Sequence, residues 1–136
     1  TFMKRNLFLL LIAALVITLA PACHKGGGGS GEATLAVTLT PPNGSTQAPA
    51  PGPTFNLAVQ VTSTLPASGV KIDVTAKIDG SSGSPFFTTS VNSTQALTNI
   101  SITGTPSTVI SLVNVTVTSL STSSNVWTGS YRYSSK

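Results

Sequence analysis

From Ala33 onward, apolar and polar residues alternate with a period of two, broken at intervals by clusters of Gly, Pro, Asn and Ser. Successive side chains of a strand point to opposite faces, so this period predicts half-buried β-strands. In "ATLAVTL" it puts Leu35, Val37 and Leu39 on one face and Thr34, Ala36 and Thr38 on the other. "FNLAVQVTS" turns Phe55, Leu57, Val59 and Val61 inward. The clearest alternation is "VKIDVTAKID", where Val70, Ile72, Val74, Ala76 and Ile78 share one face and Lys71, Asp73, Thr75, Lys77 and Asp79 the other. One side of such a strand is buried and the other wet. "FFTTSV" offers Phe87 and Val91 to the core, "TNISIT" offers Ile100 and Ile102, and "LVNVTVTSL" offers Val113, Val115 and Val117, before "VWTGSYRY" closes the series.

The spacing gives about seven strands, with "DGSSGSP" and "STSSN" as turns. Between the first two strands lies "TPPNGSTQAPAPGPT", Thr40 to Thr54, whose five prolines and two glycines exclude regular ladder pairing. It predicts either a long crossover between sheets or a strand that switches along an edge. Seven short strands with one such crossover resemble an immunoglobulin-like β-sandwich, fibronectin III-like relatives included, of the kind found in bacterial surface and periplasmic proteins. The resemblance implies an all-β, antiparallel sandwich over residues 33–136. It rests on pattern, because the antibody Cys-Trp-Cys set is absent from a chain with one cysteine, and the sole tryptophan, Trp127, falls on the last strand. A domain of this size buries enough apolar surface to fold without disulfides.

Ahead of the domain the pattern changes. "MKRNLFLLLIAALVITLAPA", residues 3–22, has a basic start, an apolar run from Leu7 to Ala20 and then small residues. A run of about fourteen residues suits a signal peptide and is short of the roughly 18 to 20 needed to cross a bilayer. Immediately after stands Cys23. Ala20, Pro21, Ala22 and Cys23 resemble the cleavage site of a bacterial lipoprotein, in which the thiol of the cysteine receives diacylglycerol. The family usually has leucine three before the cysteine; here Leu19 is four before, and Ala20 stands in that place. The resemblance implies a helical signal peptide over residues 1–22, removed on export, and a lipid anchor on Cys23. Ala20-Pro21-Ala22 also fits ordinary secretory cleavage, which would leave a secreted protein with a lone exposed thiol. "GGGGSG" then reads as a tether over residues 23–32, with a reach of roughly 15 to 18 Å.

This location removes the chemical appeal of the Cys23-His24 pair. A thiolate nucleophile needs a base held by a rigid scaffold, and zinc needs about four ligands; two residues beside four glycines supply neither. Thr1 and Phe2 precede Met3 and receive no structural meaning.

The formal charge of +4 hints at nucleic acid until it is located. From Cys23 onward Lys25, Lys71, Lys77, Arg132 and Lys136 stand against Glu32, Asp73 and Asp79, and no basic cluster lines up for phosphates. Those three acids are the chain's only carboxylates. Glu32 belongs to the tether by this reading, and Asp73 and Asp79, about 20 Å apart along one strand, cannot act on one bond. No catalytic residue, metal site or cofactor is expected. Asp79-Gly80-Ser81-Ser82 carries too few carboxylates for calcium and reads as a turn. The row Lys71, Asp73, Thr75 and Lys77 reads as a solvated face. Four Asn-x-Ser/Thr triplets, at Asn43, Asn92, Asn99 and Asn114, arise easily in so Ser/Thr-rich a chain and are given no role.

One constellation has binding potential. Trp127, Tyr131 and Tyr133 form a stripe on the last strand, with a gap at Gly129. Such a stripe either packs the core, with the hydroxyls at the rim, or offers a platform to a sugar ring. The expectation is therefore a non-enzymatic lipoprotein module of the bacterial cell envelope. It is held to the bilayer through acylated Cys23 and presents loops or strand edges, the first and last strands among them, to another envelope protein or a glycan. A carbohydrate-binding module built on the aromatic stripe is the alternative, and nucleic acid is not an expected partner.

Overall fold

The computed structural model describes residues 31–136, of which Glu32–Lys136 form one compact unit. The signal peptide, Cys23 and the glycine run lie outside the described residues. Seven strands are present: β1 (Val37–Thr40), β2 (Phe55–Val61), β3 (Val70–Ile78), β4 (Phe87–Ser93), β5 (Leu97–Ile102), β6 (Ile110–Ser119) and β7 (Val126–Ser134). They form two antiparallel sheets, β1-β2-β5 and β4-β3-β6-β7, an immunoglobulin-like sandwich without helices among the described residues. Constant-type immunoglobulin domains put the fourth strand on the first sheet; here β4 pairs with β3 instead.

The core is the inner rows of the two sheets. Leu57, Val59 and Val61 of β2 face Val70, Ile72, Val74 and Ala76 of β3 and Val113, Val115 and Val117 of β6 in one buried cluster. β-branched residues dominate it because they pack well on a pleated surface. Ile78, expected in this row, is 40% exposed. It sits on the last rung of β3, opposite Ser111, where the sandwich ends and the alternation outlasts its cover. Phe87 and Val91 are likewise half-buried. Phe87 packs against the core cluster.

The proline-rich segment is an edge switch. After Thr40 the chain leaves β2, passes a cis Thr40–Pro41 peptide, and runs parallel to β7, with bridges Thr46–Arg132 and Ala50–Ser135. The Gly44 N–H donates to the Ser130 carbonyl (2.7 Å), Gln47 N–H to the Arg132 carbonyl (2.8 Å), and Arg132 N–H to the Ser45 carbonyl (2.9 Å). The outer edge of β7, expected to be free, is thus covered from Ser130 onward. Prolines suit this place because a covering segment needs only some of its N–H groups.

The domain begins earlier than the sequence indicates. Glu32 accepts hydrogen bonds from Ser119 Oγ (2.9 Å) and from the Asn125 side-chain amide, and the Leu35 N–H donates to Asn125 Oδ1 (3.0 Å). Asn125, in the β6–β7 turn, thereby fastens a segment that is not itself in a sheet, and Leu35 is buried beneath it. Glu32 is part of the fold and not of the tether.

Candidate functional site

β7 carries the aromatic stripe, and its placement follows from register. Tyr131 and Tyr133 pair with Val113 and Ser111 of β6, so their rings point between the sheets and are 1% and 2% exposed. Phe55 of β2 meets Tyr133 at a ring-centroid distance of 4.5 Å, and the two tyrosine rings lie 6.1 Å apart. Both are tilted contacts of the kind aromatic quadrupoles favour. The Tyr133 hydroxyl and Thr105 Oγ1 share a buried hydrogen bond of 2.7 Å. Burial pushes the ionisation of both tyrosines upward, and for Tyr133 the Thr105 bond opposes that in part. The Tyr131 hydroxyl is buried without a hydrogen-bond partner among the described residues.

Trp127 is half-buried and packs against the core. Its ring lies over Gly129, so a Cβ built at that glycine would collide with the indole and with Asn43 Oδ1. The gap in the stripe is therefore filled by the tryptophan itself. Only Trp127 of the three rings retains appreciable exposure, and a flat row of three is not formed.

Two concavities lie near the stripe. One, of about 190 Å³, opens beside the edge switch between Pro41, Gln47, Ala48, Ala50, Phe55 and Asn56, with the two tyrosines at its floor. The buried Tyr131 hydroxyl is not reached from it. The other, of about 440 Å³, is a shallow groove on the outer face of β6 and β7 lined by Asn43, Asn114, Thr116, Thr128 and Ser130. Asn43 Oδ1 accepts from the Ser130 N–H (2.8 Å), which fixes the rim. Alternation in "NVTVT" and "VWTGS" puts these hydroxyls on the outer face, and the edge switch brings Asn43 to them.

The carboxylates are occupied by structural partners. Asp73 Oδ2 lies 3.1 Å from Lys71 Nζ. The Ser90 hydroxyl, across the β3–β4 rung, does most to hold its carboxyl below the ordinary range, opposed by burial and helped further by Lys71. Arg132 Nε donates to Asp79 Oδ2 at 2.7 Å and likewise lowers the Asp79 carboxyl. Asp79 and Gly80 make the expected turn, with Gly80 at φ +75°. Among the described residues no three His, Cys, Asp or Glu side chains gather where a metal ion could be held. Comparison of the chain with protein-family models, curated proteins and solved structures finds no match.

Proposed function

We propose that this chain is an exported lipoprotein whose immunoglobulin-like domain is a non-catalytic recognition or structural module of a bacterial envelope assembly. The observation that carries the reading is the position of the sole cysteine. Cys23 follows a signal-like apolar run and small residues, and lies nine residues before the compact unit that starts at Glu32. A thiol placed there serves no disulfide in a domain that contains no cysteine, whereas acylation gives it a purpose. The glycine run holds the domain just clear of the bilayer.

Metabolic labelling with an alkyne fatty acid tests the reading. The parent chain takes up the label and partitions with membranes, and Cys23→Ser does neither. A mature parent whose mass corresponds to a bare thiol at Cys23 overturns the anchor and leaves a secreted module.

Glycan binding is the second reading, favoured by the uncharged hydroxyl and amide lining of the groove on β6 and β7. With Tyr131 and Tyr133 in the core, that groove takes the place of the aromatic platform. Thr116→Val with Thr128→Val keeps the strand shape and removes two hydroxyls, so retention on immobilised polysaccharide falls if the groove is the site.

A further inference from the structure

The sandwich guards its edges unevenly. The C-terminal half of β7, from Ser130 onward, is covered by the switch segment, its first half is interrupted by Gly129, and β1 is four residues long and runs into Pro41. On the other side β4 and β5 each end their sheet. Neither Phe87–Ser93 nor Leu97–Ile102 contains a charge, a proline or a glycine, the usual means by which natural edges are blunted. The two strands differ in their inward rows. Ile100 and Ile102 of β5 are buried, whereas Phe87, Thr89, Val91 and Ser93 of β4 are all half-exposed. β4 belongs to a four-stranded sheet facing a three-stranded one, so the cover runs out over its inner row.

We propose that β4 is a self-association edge, at which a second copy of this chain pairs antiparallel about Ser90 and joins two four-stranded sheets into one of eight. Side-chain parity sets the register. A two-fold axis normal to the sheet keeps inner rows with inner rows only when it passes through a residue position, and centring it on Ser90 uses all seven residues of the strand. Thr88 then stands opposite Asn92 on the outer face, with Thr89 opposite Val91 and Phe87 opposite Ser93 on the inner face. None of these pairs opposes like charges, and the β-branched Thr–Val pair suits a sheet. The neighbouring charges on β3, Lys71 and Asp73, already neutralise each other. Seven residues a side bury less than the roughly 1,000 Å² of a stable interface, so the dimer is weak and depends on concentration. The geometry does not rest on the lipid anchor, although two copies anchored in one membrane would meet at higher effective concentration.

Cross-linking of the full chain tests the register. With Cys23→Ser as background, Ser90→Cys places two sulfurs opposite each other on the axis and yields a covalent dimer under mild oxidant. Thr38→Cys, exposed on the outer face of β1, is the control and does not. Adding Thr88→Lys and Asn92→Lys sets like charges across both symmetry-related pairs and lowers the dimer yield about tenfold. Mixing that variant with one carrying Thr88→Glu and Asn92→Glu restores it as a mixed dimer, which also shows that both variants fold. Cross-linking from position 90 no greater than from position 38, or a yield indifferent to the charge changes, overturns the proposal.

Discussion

Tyr131 and Tyr133 stand two positions apart on one strand, both in the core, and differ in what their hydroxyls meet. The Tyr133 hydroxyl has Thr105, and the Tyr131 hydroxyl has no partner among the described residues. A buried hydroxyl without a partner forfeits roughly 1–3 kcal/mol of hydration. Tyr131→Phe is accordingly neutral or stabilising by up to about 1 kcal/mol, while Tyr133→Phe orphans Thr105 and destabilises by about 1–2 kcal/mol. Urea unfolding followed by circular dichroism separates the two. Burial raises both ionisations in the folded state, so the unfolded chain loses tyrosine protons first. Stability is complete below about pH 10, the unfolded value, and declines as pH rises beyond it. Absorbance at 295 nm rises together with loss of structure, and Tyr131→Phe moves that transition to higher pH.

At the scale of elements, glycine marks where one strand passes close to another. Gly69, at φ +83° just before β3, is placed so that a Cβ would strike the Ser93 carbonyl at the end of β4. Gly69→Ala meets the left-handed penalty of about 1–2 kcal/mol together with a clash against backbone that cannot rotate away. It lowers the urea midpoint more than Gly44→Ala, where φ is also positive but nothing lies within 4 Å.

The same scale shows what the sequence could tell. β3 was legible almost to its end because a central strand buried on one face writes its environment as a strict alternation. A period of two reports which face a residue occupies but not which strand lies beside it. The choice between crossover and edge switch for residues 40–54 therefore needed the pairing with β7. For the same reason the pattern placed Ile78 inside and gave Phe87 and Val91 to the core without showing that the opposite sheet stops short of them. The Glu32–Ser119 and Glu32–Asn125 contacts join residues 87 and 93 positions apart and left no local mark. The stripe at Trp127, Tyr131 and Tyr133 was visible as a stripe, but its burial depends on the second sheet.

Over the whole domain the charges are few. From Glu32 onward Lys71, Lys77, Arg132 and Lys136 stand against Glu32, Asp73 and Asp79, so neither salt nor net repulsion governs its behaviour strongly. Asp73 and Asp79 have lowered carboxyl ionisation. Such groups contribute stability above the unfolded carboxylate value near 4, and that stability is lost as pH falls through the folded values. Both ion pairs are partly exposed, so this acid limb is shallow, shrinks further at high salt, and is flattened by Asp79→Asn. The alkaline limb comes from buried tyrosines, which salt screens little, and is the steeper of the two. Between the limbs the described residues hold no histidine, the side chain whose charge ordinarily changes there. The melting temperature of the domain is therefore level from about pH 5 to 9, and a step within that range would mean that a group other than its carboxylates and tyrosines is linked to unfolding.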